Sequence, residues 1–153
     1  MTYELSEQDM RNNLKQYADL LENETDEYPY VMMFISAYGK LFNWSARPKD
    51  IRKRPNGTCY GSCQRFVMKN SGHTYCEGYA FVWRNDVQRL IPMRHAWVVK
   101  NDSLDVIDLT CYVFQGGPIQ YIGIPISADD VFDITVGFGV GSSLLDVIAL
   151  SVR

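Results

Sequence analysis

The chain has 153 residues, 46% of them hydrophobic and 22% charged, which fits one globular domain with a real core and excludes disordered, fibrous and low-complexity classes. The formal net charge is -3, and the basic residues concentrate between Arg47 and Lys100 while residues 1–27 and the stretch after Asn101 are acidic. An acidic chain whose basic run lacks a recognition motif argues against nucleic acid as a partner; the basic middle either attracts an anionic ligand or neutralises the acidic segments on folding.

In chain order, Ser6 followed by Glu7, Gln8 and Asp9 signals a helix start, and Met10, Leu14, Tyr17 and Leu21 recur at helical spacing, so a helix is expected from about Ser6 to Asn23. After an acidic turn near Asp26 and Pro29, the set Val31, Phe34, Ile35, Tyr38, Leu41 and Phe42 predicts a second helix, completing a helical N-terminal part over 1–44. Arg47 to Pro55 is a basic, proline-punctuated connection. Thr58 is placed to cap a third helix whose apolar stripe is Tyr60, Cys63, Phe66 and Val67, ending at Asn70-Ser71-Gly72. From there the period changes to two, and Thr74 to Val82, Met93 to Lys100, Leu104 to Thr110 and Ile119 to Ile124 read as strands. Ser127 with Asp129 and Asp130 marks another helix start, while Ser142 or Ser143 to Val152 reads equally as helix or strand. The expectation is an α+β fold: N-terminal helices and a cysteine-bearing helix packed on an antiparallel sheet, with residues 57–126 as helix and sheet core.

Residues 1–10 carry acids and no apolar core, and no apolar run is long enough to span a bilayer, which predicts a cytoplasmic protein without a membrane association. Cys59, Cys63, Cys76 and Cys111 are then expected as reduced thiols. Their spacing fits no zinc template and only His73 and His95 accompany them, so neither a metal nor a cofactor is expected.

A thiol becomes a nucleophile as the thiolate, which the first turn of a helix favours through its unpaired N–H groups. Cys59 alone is so placed; Cys63 lies a turn further on, and Cys76 alternates with Gly78, Ala80 and Val82 on a small-residue face. Of the histidines, His73 sits in a polar turn and His95 begins an apolar strand with Trp97 and Val99. A two-residue turn at Asn101-Asp102 would pair Lys100 with Ser103 and set His95 opposite Asp108, close enough for the carboxylate to hold the imidazole. Tyr75, Glu77, Tyr79 and Phe81 share a strand face and, with Trp97, either shape a substrate groove or form core; Glu77 either pairs with a basic residue or lines the site.

Gly57-Thr58-Cys59 opening a helix, Glu77-Gly78-Tyr79-Ala80, His95-Ala96-Trp97 and Val106-Ile107-Asp108-Leu109-Thr110 together resemble transglutaminase-like members of the papain-fold superfamily. With Tyr121-Ile122-Gly123-Ile124-Pro125-Ile126, the chain more closely resembles small, largely uncharacterised bacterial and phage proteins. The resemblance implies Cys59 as nucleophile, His95 as base and Asp108 as the acid that orients it. The chain departs from the family pattern at Leu109, where a proline is usual, and at Cys111, where an aromatic is common; no glutamine occupies the oxyanion position, leaving the Cys59 N–H with Asn56 or the Trp44 indole as donors.

Two functions follow as expectations. One is a thiol enzyme acting on an amide or acyl bond of a protein, peptide or small amide through Cys59, His95 and Asp108, by hydrolysis or by acyl transfer. The other is an inactive papain-like scaffold that binds an anionic ligand or a partner protein, in which Arg47 to Arg54, Arg84, Arg89 and Arg94 matter more than Cys59.

Overall fold

The computed structural model describes residues 5–24, 30–55, 57–110 and 120–151. Helix α1 spans Glu7–Glu24. Ser6 starts it, its hydroxyl accepting from the Asp9 N–H, and Glu7 and Asp9 put negative charge at the positive end of the helix dipole. Met10, Leu14 and Ala18 form its buried stripe. Helix α2, Tyr30–Tyr38, packs against α1 with Val31, Met32 and Ile35 buried, and Arg11 joins the two by donating to the carbonyls of Ser36 and Gly39.

The expected continuation of α2 through Leu41 and Phe42 does not form. The helix closes at Gly39, whose N–H meets the Ile35 carbonyl at 2.8 Å, and Lys40–Phe42 is strand β1. Leu41 packs with the helices on one side of the sheet and Phe42 with Trp97 on the other. Two adjacent side chains serving opposite faces is the period of a strand, not of a helix.

Helix α3 is Cys59–Lys69 and ends where Asn70 donates both its backbone and side-chain N–H to Phe66. Strands β2, His73–Arg84, and β3, Arg89–Lys100, form a long hairpin, and β4, Gln120–Ile126, lies on the other side of β2. The sheet is antiparallel in the order β1-β4-β2-β3. Helix α4, Ala128–Phe138, begins at Ser127, which accepts from the Asp130 N–H as expected. The last ambiguous segment is helical: α5 is Leu144–Ser151 and Ser143 accepts from the Asp146 N–H. The architecture is α+β.

Both faces of the sheet are covered, which is why β2 is buried over a continuous run rather than at alternate positions. On one face Tyr75, Tyr79, Phe81, Ala96, Val98 and Ile122 meet Leu14, Ile35, Cys63, Val67 and Leu144 from the helices. On the other, Cys76 and Ala80 lie with Phe42, Trp97, Tyr121 and Val106; the small-residue face receives three aromatic rings.

Leu104 to Thr110 is not the regular strand expected. The Asn101-Asp102 turn does form, with Ser103 N–H donating to Lys100 and Asp102 at φ 65. The chain then diverts to β1, where the Asn43 N–H donates to Leu104 and the Val106 N–H to Asn43. It rejoins β3 with Val98 opposite Ile107, two residues away from the register of an uninterrupted hairpin.

Candidate functional site

His95 and Asp108 meet on the Trp97 and Tyr121 side of the sheet, with His95 Nε2 2.8 Å from Asp108 Oδ2. Asp108 is almost fully buried and is held from two further directions, Oδ2 accepting from the Tyr121 hydroxyl at 2.9 Å and Oδ1 from the Thr110 N–H at 3.2 Å. The imidazole lies beside a pair of touching aromatic rings, 6.3 Å from Trp97 and 6.5 Å from Tyr121 between centroids, the two being 5.0 Å from each other. Tyr121 was not singled out by the residue pattern. Its place on β4, two strands away from β3, is a long-range contact with no local periodic signal.

Cys59 occupies the first position of α3, as expected, but Thr58 does not cap the helix with its side chain. Its hydroxyl instead donates to the Pro55 carbonyl at 2.6 Å and lies 2.8 Å from the Ser62 hydroxyl. No acidic residue sits in the first turn, so the N-terminal N–H groups face Cys59 without a competing carboxylate on the helix. Cys59 is partly buried and lies near enough to His95 to help raise its pKa. Since Nε2 is committed to Asp108, Nδ1 is the ring nitrogen left for the sulfur. Burial works against the charged imidazole, yet the hydrogen bond and negative charge of Asp108, helped by the neighbouring Cys59, outweigh it, and the His95 pKa is pushed up to about 9.

The other thiols differ in kind. Cys63 and Cys76 are fully buried, and burial pushes both thiols well up from their ordinary value; Cys111 lies outside the described residues. His73 opens β2, bonds the Asn70 carbonyl through Nδ1 and lies edge-on to Phe66, which leaves His95 as the imidazole beside a thiol.

Glu77 and Trp97 do not line an open groove. Glu77, 1% exposed, accepts from the hydroxyls of Tyr75 and Ser143 and from the N–H groups of Leu144 and Leu145, so it anchors the start of α5. Burial raises its pKa despite these four donors. Arg94 approaches it at 3.9 Å and pairs more closely with Asp146 at 2.9 Å. Trp97 is fully buried, packed against Phe42 and Tyr121. Trp44 is exposed just beyond the Asn43–Asp105 bridge and makes no hydrogen bond to Cys59 or His95 among the described residues; Asn56 lies outside the described residues.

The basic connection is tied to the same site. The Arg54 N–H donates to the Leu109 carbonyl at 2.7 Å, one residue from Asp108, and Arg52, Lys53, Arg54 and Pro55 line a shallow surface depression. No group of three or more His, Cys, Asp or Glu side chains among the described residues is placed to hold a metal ion, and no helix among them is long and apolar enough to cross a membrane. Comparison of the chain with protein-family models, curated proteins and solved structures gives no match.

Proposed function

We propose that the protein is a thiol enzyme acting on an amide or acyl bond, with Cys59 as nucleophile, His95 as proton carrier and Asp108 as the residue that positions His95. One observation carries this reading: His95 bonds the buried Asp108 through Nε2 and has Cys59, at the start of α3, beside it, and together they push its pKa up to about 9. The order of parts supports a papain- and transglutaminase-like scaffold: a cysteine opening a helix, that helix laid on an antiparallel sheet, a histidine strand, and an acid on the returning segment.

In this reading the thiol proton rests on Nδ1 of His95 and the thiolate attacks the carbonyl carbon. The oxyanion meets the N–H of Cys59 at the uncapped start of α3. As the C–N or C–O bond breaks, the leaving group takes the proton from His95 and a thioester remains. Water or an amine then adds to the thioester, gives its proton to His95 and displaces the sulfur as thiolate, which restores the starting pair with the proton on Nδ1. Water gives hydrolysis of a protein, peptide or small amide; an amine gives acyl transfer.

Iodoacetamide labelling of the native protein between pH 4 and 9, with the modified cysteine located by mass spectrometry, tests the reading. Cys59 is expected to react fast at and below neutrality, and to lose that reactivity in His95→Ala. A Cys59 that titrates as a free thiol regardless of His95 refutes it. The second reading, a scaffold without turnover that holds an anionic ligand or a partner protein, draws on the arginine-lined depression at Arg52 to Pro55.

A further inference from the structure

The cations of the central segment are not equivalent. Arg84 is paired with Asp86 and Arg94 with Asp146. Arg52 and Arg54 are exposed and belong to none of the ion pairs among the described residues, although Asp50 is nearby in sequence. They share a depression with Lys53 and Pro55. Charges without an ion-pair partner among the described residues, on a chain of net charge -3, are an attraction for anions at that place.

The depression is also held in position. At one point the Arg54 N–H bonds the carbonyl of Leu109, next to Asp108; at the other the Pro55 carbonyl accepts from Thr58, next to Cys59. Pro55 further restricts Arg54 to extended backbone. Cys59 lies four positions after Pro55, so they are at most about 14 Å apart, a span that about four residues of an extended peptide cover.

We propose that this depression binds the carboxylates of an acidic peptide or protein segment, so that Cys59 acts preferentially on acyl groups lying within about four residues of aspartate or glutamate. The inference rests on the thiol-enzyme reading and names its substrate class. A polypeptide fits better than a nucleic acid, because among the described residues no aromatic side chain lines the depression for a base to stack on.

The test compares the rates at which Cys59 is alkylated by two chloroacetyl-capped pentapeptides, one with two glutamates within four residues of the electrophile and one with glutamines in their place, against iodoacetamide as reference. At low salt the glutamate probe is expected to label about five- to tenfold faster than the glutamine probe, as two exposed ion pairs allow. The ratio should fall toward one in 0.5 M salt and in Arg52→Gln/Arg54→Gln, while iodoacetamide and the glutamine probe keep their rates in that variant. Circular dichroism checks that the variant is folded. Equal rates for both probes, with fast His95-dependent iodoacetamide labelling, overturn the substrate class and leave the thiol enzyme standing. Slow iodoacetamide labelling that ignores His95 removes the enzyme reading and this inference with it. Protection of Cys59 by a single-stranded oligonucleotide, but not by an unreactive glutamate peptide, overturns the proposal in favour of nucleic acid.

Discussion

His95 Nε2 and Asp108 Oδ2 are 2.8 Å apart although the two residues are not cross-strand partners; Val98 faces Ile107, which makes His95 and Asp108 diagonal neighbours on one face. A diagonal pair is within reach of an imidazole and a carboxylate. In Asp108→Asn the Thr110 N–H keeps the side-chain oxygen at the Oδ1 position, which places the new amide N–H at the Oδ2 position, facing His95 and the Tyr121 hydroxyl. Nε2 must then accept, the proton moves to Nδ1, and the imidazole can no longer take the thiol proton. The expected outcome is a loss of about 100-fold or more in Cys59 alkylation rate at pH 7 with circular dichroism unchanged; a near-native rate would show that Asp108 does not set the tautomer.

That diagonal geometry also marks how far the sequence can be read. The contact was foreseen from a hairpin turn whose strands pair without interruption, and the turn exists, but Asp105 is drawn away to bridge Asn43. The slip is two residues, and since strand side chains alternate with a period of two, Asp108 stays on the histidine face. Local patterns located α1, α3 and the capped start of α4 because caps and stripes are local. Leu41 and Phe42 continue a helical spacing, and nothing local reveals that β4 pairs beside them. Glu77 and Tyr121 were obscure for the same reason: their partners, α5 and Asp108, lie at 144–145 and 108 in the sequence and only the assembled sheet brings them close.

The raised His95 pKa has a consequence for stability. Its side chain is 15% exposed, so solvent screens the interaction little. A histidine at 6.5 when unfolded and at about 9 when folded binds its proton more tightly in the native state. The stabilisation is fully present below pH 6.5 and disappears as the pH rises through about 9. It amounts to at most about 3 kcal/mol. Urea unfolding of the native protein and His95→Gln at pH 6 and pH 10 measures it: the gap between the two proteins should narrow at the higher pH. A gap that is constant or widens would mean that the imidazolium is not held.

Gly123 has a specific reason to be glycine. A Cβ there would lie 2.7 Å and 2.9 Å from Trp97 ring atoms and 2.5 Å from the Glu77 carbonyl. Trp97 is fully buried and supports the His95 ring, so it has no free space to retreat into. Gly123→Ala is expected to cost about 1–3 kcal/mol, measured by urea unfolding, and to change the near-ultraviolet dichroism of the tryptophans. A fully native stability and spectrum would contradict the packing.

Glu77 carries a load in the fold rather than in the chemistry. Its two oxygens accept from four donors, two of them the N–H groups of Leu144 and Leu145. In Glu77→Gln one oxygen becomes an amide that faces donors with a donor, and the loss should be about 2–3 kcal/mol. Hydrogen exchange is expected to speed up in α5 before it does in β2 and β3, because the start of α5 loses its anchor first. Cys59 labelling by iodoacetamide, measured where the variant is folded, should change by no more than about twofold; a large loss there would place Glu77 in the reaction after all.

Tyr121 separates positioning from folding most cleanly. Its hydroxyl donates to the same Asp108 oxygen that holds His95, and its ring lies beside the imidazole. Tyr121→Phe keeps the ring and removes one donor, which costs about 1–2 kcal/mol for a hydrogen bond to a buried charged group. With one tether fewer, Asp108 is still fixed by the Thr110 N–H and the histidine itself, so the carboxylate swings over a wider range and holds Nε2 less constantly. The Cys59 alkylation rate should therefore fall about three- to tenfold, much less than in Asp108→Asn. In Tyr121→Phe/Asp108→Asn the two losses should not multiply, because the hydroxyl acts through the carboxylate. Multiplicative losses would mean that Tyr121 reaches the thiol by a separate route.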